Sequence, residues 1–272
     1  MNNSNRQLNQ GQLEVLGLIY KFRFGTRDLI AASLGKQNGN PIYSRLTILE
    51  QQRYVAKRYD TSYKFNGRAA EYYLTPAGLR ALRERTELDG LDDKAIKASY
   101  KDKTASDQFI NRCLSVFAVS NCLNDIYSGL QFFTKRELTT YDYFPEQLPD
   151  GFLSYKPSSN IQRSFVELFM EGTPPFAVDR RLRQLIAYYE DDEWAITETP
   201  FPPILCICET GNVEKRLQRQ ITRALNRSDT DVLFYTTTLP AVLGSDKNSN
   251  AIWSDVNEPD KLTSLDDISV TP

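Results

Sequence analysis

Backbone punctuation constrains the first third of this chain more than any other feature. Gly25 followed by Thr26 is a stop and a start: the glycine ends one helix and the threonine caps the next. Gly35 ends that second helix. Asn40-Pro41 opens a third, with Asn40 as N-cap and the proline at the first helical position, where its missing N–H costs nothing. The first helix, Gln12 to Phe24, carries a stripe of Leu13, Leu16, Ile19 and Tyr20, widened by Val15, Leu18 and Phe22. The second, Arg27 to Leu34, is short. In the third, Asn40 to Arg53, Ile42, Leu46 and Leu49 share one face at i, i+4 and i+7. Its other face holds Tyr43, Ser44, Thr47 and Gln51, with Arg45 at the flank. Alone, this is an ordinary amphipathic helix with a solvated side.

The residues beyond the third helix change that reading. Tyr54 to Tyr59 is strand-like, DTSYKFNGR is a polar turn, and Ala69 to Leu74 is a second strand-like run. Thr75-Pro76-Ala77-Gly78 then opens a helix from Leu79 to Arg85. Three helices, a strand, a turn, a strand and a helix make the winged-helix order, a variant of helix-turn-helix. The turn would be the wing. The DNA-binding residues expected on the third helix are Asn40, Tyr43, Ser44, Arg45, Thr47 and Gln51, with base edges read through Tyr43, Ser44, Arg45 and Thr47. Lys57, Arg58, Lys64, Asn66 and Arg68, on the wing and the strand before it, are expected near phosphates.

The net charge of −2 conceals a division. Residues 1–86 hold 14 Lys+Arg against 6 Asp+Glu, a net of +8. The remaining residues hold 19 against 29, a net of −10. Polyanion contacts are therefore expected in the N-terminal part. The absence of histidine removes the commonest general base and the commonest zinc ligand. Cys113 and Cys122 fall in a predicted helix, and Cys206 and Cys208 alternate in the apolar run PPILCIC. That spacing is no zinc motif, so buried reduced thiols are expected. No apolar run reaches the roughly 18 residues of a membrane helix, and MNNSNRQLNQGQ lacks a signal peptide's apolar core. A cytoplasmic location without membrane partners is expected.

The domain plan expected from these patterns has five parts. Residues 1–11 form a mobile arm, 12–86 the winged helix-turn-helix and 87–104 a charged linker. Residues 105–243 hold a long helix, Ser106 to Leu130, and a mixed α/β domain. Residues 244–272 form an acidic, loosely ordered tail anchored at Ile252-Trp253. Strand-like runs lie at Phe132–Leu138, Phe152–Lys156, Ile161–Met170, Ile204–Glu209 and Asp231–Thr237, with helices at Ala177–Glu190 and Asn212–Asn226. The long helix makes a homodimer the expected state, as in many helix-turn-helix proteins that read paired half-sites.

Several segments carry a resemblance to a known family: Arg45-Leu46-x-x-Leu49, YYLTPAG, Leu148-Pro149-Asp150-Gly151-Phe152, Ser164-Phe165-Val166-Glu167-Leu168, Ala187-Tyr188-Tyr189 and PPILCIC. Over roughly Gln12 to Val242 the chain resembles the replication-relaxation family of plasmids and other mobile elements. The resemblance implies an α+β chain in which an N-terminal winged helix precedes a domain like a PD-(D/E)xK nuclease core. Asp150 and Glu167 match that core's metal-binding acids. The lysine expected two residues beyond Glu167 is replaced by Phe169, and the helical position that carries a lysine in many members is Gln184 here, beside Arg183. An arginine keeps its charge but is no proton-transfer base. The domain is therefore expected to be a degenerate nuclease fold, without cleavage activity or cofactor, and Asp150 and Glu167 remain only weak metal candidates. The expected function is sequence-specific binding of double-stranded DNA, as an accessory to replication or transfer or as a transcriptional regulator. A Mg²⁺-dependent nuclease is one alternative. The other is a module that recruits a replication or transfer protein without binding DNA.

Overall fold

The computed structural model describes residues 8–37, 39–86, 88, 90–156, 161–228 and 230–268. The chain divides into two compact units, Met1–Phe117 and Ala118–Pro272. The 1–11 arm lies largely outside the described residues. Within it, Asn9 caps the first helix through a reciprocal pair of hydrogen bonds with Gln12.

The first unit runs α1 (Gln10–Phe22), β1 (Phe24–Gly25), α2 (Arg27–Ser33), α3 (Asn40–Gln51), β2 (Val55–Arg58), α4 (Thr61–Phe65), β3 (Glu71–Leu74), α5 (Pro76–Arg83) and α6 (Asp93–Ala98). Its strands form an antiparallel sheet in the order β1-β3-β2. Ile42, Leu46 and Leu49 are fully buried, each stabilising the fold by roughly 1.5–3 kcal/mol. Three local expectations are corrected. Gly39, not Asn40, precedes the third helix, and Asn40 is its first residue. A two-residue strand separates the first two helices and pairs with β3. The segment expected as an open wing contains helix α4, because Asp60 caps it through Ser62 and Tyr63, and Tyr63 buries its ring.

The expected linker 87–104 is also corrected. Its described residues include α6 and a 3₁₀ turn, Ser99–Thr104. Leu91 and Ile96 are buried, and the buried Asp102 accepts from Arg23 Nε at 2.7 Å. The next helix, α7 (Asp107–Ile126), begins in this unit, where Ile110 packs with Phe24 and Tyr73, and Phe22 stacks on Phe117 with centroids 4.0 Å apart.

The second unit adds β4 (Gln131–Thr134), α8 (Lys135–Leu138), β5 (Gly151–Tyr155), β6 (Gln162–Phe169), α9 (Pro175–Glu190), β7 (Ile204–Cys208), α10 (Gly211–Ser228), β8 (Phe234–Thr238), α11 (Leu239–Gly244), β9 (Trp253–Asp255) and β10 (Leu262–Thr263). These strands make one mixed sheet in the order β10-β9-β8-β7-β6-β5-β4. The pairs β6–β7 and β7–β8 are parallel, and the rest are antiparallel. Helices α9 and α10 are the two crossovers between the parallel strands. They share one core with Phe152, Phe165, Ile204, Cys206 and Phe234. The run expected as one strand from Phe132 ends at Thr134, where a Thr134–Glu137 capping box turns it into α8. The tail expected to be loose apart from its anchor supplies β9 and β10, and Trp253 of that anchor is fully buried. Cys206 and Cys208 are buried thiols, and burial raises both above the ordinary range.

Candidate nucleic-acid interface

The outer face of α3 presents Asn40, Tyr43, Ser44 and Gln51 as exposed side chains, with Thr47 partly exposed. They share a face because they recur three or four residues apart. Tyr43 is 56% exposed, unusual for so large a ring. The Ser44 and Thr47 hydroxyls donate to the carbonyls of Asn40 (3.3 Å) and Tyr43 (2.9 Å), which leaves their oxygen lone pairs for an outside donor. Arg45 does not join this face. Its Nη1 donates to the Gly11 carbonyl at 3.4 Å, and its guanidinium occupies the space that a Cβ on Gly11 would need.

The expected phosphate contacts divide into paired and unpaired groups. Arg58 donates to the Ala105 carbonyl and pairs with Asp107 at 2.7 Å. Arg68 pairs with Glu71 at 2.8 Å, lies over the Tyr63 ring and reaches Asp107 at 3.4 Å. Both arginines thereby tie the β2–α4–β3 segment to the start of α7. Lys57 pairs with Glu50 at 2.9 Å on the surface, and that hydrogen bond raises its pKa above the usual lysine value. Lys64 and Asn66 stand exposed at the end of α4, beside Phe65, which is 90% exposed.

A cleft of about 350 Å³ brings Tyr43 of α3, Lys57 of β2 and Arg68 together with Arg27, Tyr59 and Tyr72. Asp28 also lines it and binds Arg27 at 2.8 Å. Burial pushes the Tyr72 phenol up, so it is a neutral hydrogen-bonding group at neutral pH. Sequence reasoning missed Arg27, Tyr59, Phe65 and Tyr72. Arg27 directly follows the Thr26 cap, and that position was the available signal. The other three are aromatic, a residue type read there as strand or turn filling.

In the second unit, Asp150 and Glu167 lie on adjacent antiparallel chains, one step beyond the Gly151–Val166 pair. Both are buried, at 4% and 2% exposure. Asp150 Oδ2 accepts from the Leu168 N–H at 2.8 Å, and its Oδ1 lies 2.9 Å from Lys135 Nζ. Glu167 accepts from Arg181 Nη2, while Arg181 Nη1 donates to the Gln147 carbonyl at 2.7 Å. The cation on helix α9 that meets the acids is thus Arg181, whereas Arg183 and Gln184 are exposed. Among the described residues no cluster of three or more metal-ligating side chains occurs. A divalent ion of the magnesium type takes about six oxygen ligands. Two carboxylates already engaged by Lys135 and Arg181 do not fit it in this arrangement.

The fold defined by both units is mixed α+β. The chain matches no protein-family profile and no curated protein sequence. Two solved structures of the restriction endonuclease FokI, one of them bound to DNA, resemble it at 12% and 10% identity, with TM-scores of 0.34 and 0.30. Each likeness covers 89% of this chain and 45% of the FokI chain, so the chain spans less than half of the solved chains it matches. No helix among the described residues is long and apolar enough to cross a membrane.

Proposed function

We propose that the first unit is a winged helix-turn-helix that binds double-stranded DNA, with α3 in the major groove and the β2–α4–β3 segment as wing. One observation carries this reading. The outer face of α3 is a row of hydrogen-bonding side chains, Asn40, Tyr43, Ser44, Thr47 and Gln51, with Glu50 at its flank held by Lys57 and a cleft of aromatic rings and three cations, with Asp28, at its edge. Tyr43, Ser44, Thr47 and Gln51 are assigned to base edges. Lys64, Asn66, Lys57 and Arg27 are assigned to phosphates. Arg45, Arg58 and Arg68 hold the unit together instead. The role that goes with the family resemblance is an accessory to replication or transfer of a mobile element, or a regulator of its genes, with a homodimer reading paired half-sites. Selecting bound sequences from random duplexes tests the assignment: a recovered motif supports it, and a flat distribution rejects sequence-specific reading.

One observation favours a nuclease as the second reading: Lys135 places an ammonium beside Asp150, although the spacing in sequence lacks the lysine. The pairing of Glu167 with Arg181 weighs against it. Supercoiled, linear and single-stranded DNA should all stay uncut with Mg²⁺ or Mn²⁺. Nicking that disappears in Asp150→Ala would establish the nuclease instead.

A further inference from the structure

We infer that helix α10 carries a second nucleic-acid contact, a row of arginines that binds the phosphate backbone without reading sequence. This goes beyond the reading of the first unit, because a different element of a different unit carries it. Arg216, Arg219, Arg223 and Arg227 recur at i, i+3, i+7 and i+11, and all four are exposed. At 3.6 residues per turn they fall within an arc of about 80° and extend about 16 Å along the helix. Lys215 flanks them, also exposed. The inward face of the same helix holds Val213, Leu217 and Ile221, all buried. The helix is therefore anchored on one side and cationic on the other.

Two features separate this row from an ordinary solvated face. First, among the described residues its four arginines make no ion pair with a carboxylate. Among the described residues, Arg23, Arg27, Lys57, Arg58, Arg68 and Arg83 of the first unit all sit in ion pairs, while none of the five cations of α10 does. Arg216 and Arg219 donate only to carbonyls of their own helix, those of Asn212 and Lys215. Like charges at three- and four-residue spacing each destabilise a helix by a few tenths of a kcal/mol, and here no ion pair of the arginines among the described residues offsets that repulsion. Second, open clefts flank the row. One of about 640 Å³ lies toward α9, where Arg183 faces Arg223 and Arg227, with Asp179 and Glu190 also on its wall. Another, of about 530 Å³, lies toward Val256 and Pro259.

The composition of the face selects the partner. Protein interfaces bury an aromatic or aliphatic centre, and the exposed side chains of α10 are Asn, Lys, Arg and Thr. Those are the side chains that contact phosphates. About five phosphates of one duplex strand span the length of the row, against its four guanidiniums, each able to grip a phosphate through two N–H groups.

The test is a fluorescence anisotropy titration of the full chain against a random-sequence duplex over a salt series. Arg219→Gln/Arg223→Gln should weaken binding about tenfold near 0.1 M salt and reduce the log–log salt slope by about 2. Arg219→Lys/Arg223→Lys should keep most of the slope. Circular dichroism and an unchanged Tm confirm that the exposed substitutions leave the fold intact. An unaltered slope in the glutamine variant overturns the inference, and so does a variant that loses binding to a poly-glutamate peptide but not to duplex. The reading of the first unit fails separately: Lys64→Gln and Tyr43→Ala would then be silent while the α10 variant is not.

Discussion

Gly78 shows how a single residue fixes the geometry of the first unit. A Cβ at this position would stand 2.0 Å from the carbonyl oxygen of Tyr54. The same turn uses Thr75 twice: its Oγ1 accepts from the Gly78 N–H at 3.1 Å and donates to the Arg53 carbonyl at 2.6 Å. The Leu-Thr-x-x-Gly pattern is thus a cap plus a close approach of α5 to the chain entering β2. Gly78→Ala should destabilise the protein by about 1–3 kcal/mol, read as a lower urea midpoint. Arg181 plays a comparable part in the second unit. Its guanidinium is almost fully buried against Glu167 and the Gln147 carbonyl. Arg181→Ala leaves a buried carboxylate alone and should cost about 3–5 kcal/mol. The double variant Arg181→Met/Glu167→Leu should recover most of that loss. If the single variant is neutral in urea melts, the pair does not hold this part of the core.

At the scale of elements, apolar periodicity revealed what buries a face, and local capping decided what it could not. Helices α9 and α10 and strands β5 to β8 lie close to where alternation and the 3.6-residue repeat place them. The segments that differ are polar or short. Residues 93–104 fold because Ile96 is buried and Asp102 meets Arg23, and that partner is 79 residues away in sequence. The Asp, Ser and Asn content of the tail points to a loose segment held only at Ile252-Trp253, yet Leu265 is buried as well as Trp253. Tyr155 Oη donates to Asp266 at 2.9 Å and ties the tail to β5. Burial, reinforced by that carboxylate, pushes the Tyr155 phenol up to about 12. The neutral phenol is the form the fold favours, and an unfolded tyrosine titrates at about 10. Its contribution is therefore complete below pH ~10 and is lost as pH rises through about 12. Tyr155→Phe should flatten this part of the stability profile, measured by thermal unfolding across that alkaline range. An unchanged alkaline slope would show that the tail is not fastened there.

For the whole molecule, charge counting was informative and also misleading. The +8 of the first 86 residues directed attention to the first unit, but Arg23, Arg58, Arg68 and Arg83 of that count are spent in ion pairs with Asp102, Asp107, Glu71 and Asp93. A sum cannot distinguish a paired cation from an unpaired one. The −10 of the remainder concealed the arginine row of α10 for the same reason. The acid pair was legible as Asp150 and Glu167. Their partners, Lys135 and Arg181, come from segments that meet only once the sheet has formed. The part of the candidate interface legible in the residues alone is the face of α3, because that face follows directly from helical spacing.

The central claim is that this face binds duplex DNA, and the most direct measurement is the affinity of the intact chain for a selected duplex across a salt series. Lys64→Gln should reduce the salt slope by about 0.9. Tyr43→Ala should instead leave the slope unchanged and lower the preference for the selected site about tenfold, the size of one lost base contact. Binding that is indistinguishable from the unaltered protein in both variants, or no duplex binding even at low salt, would contradict the claim.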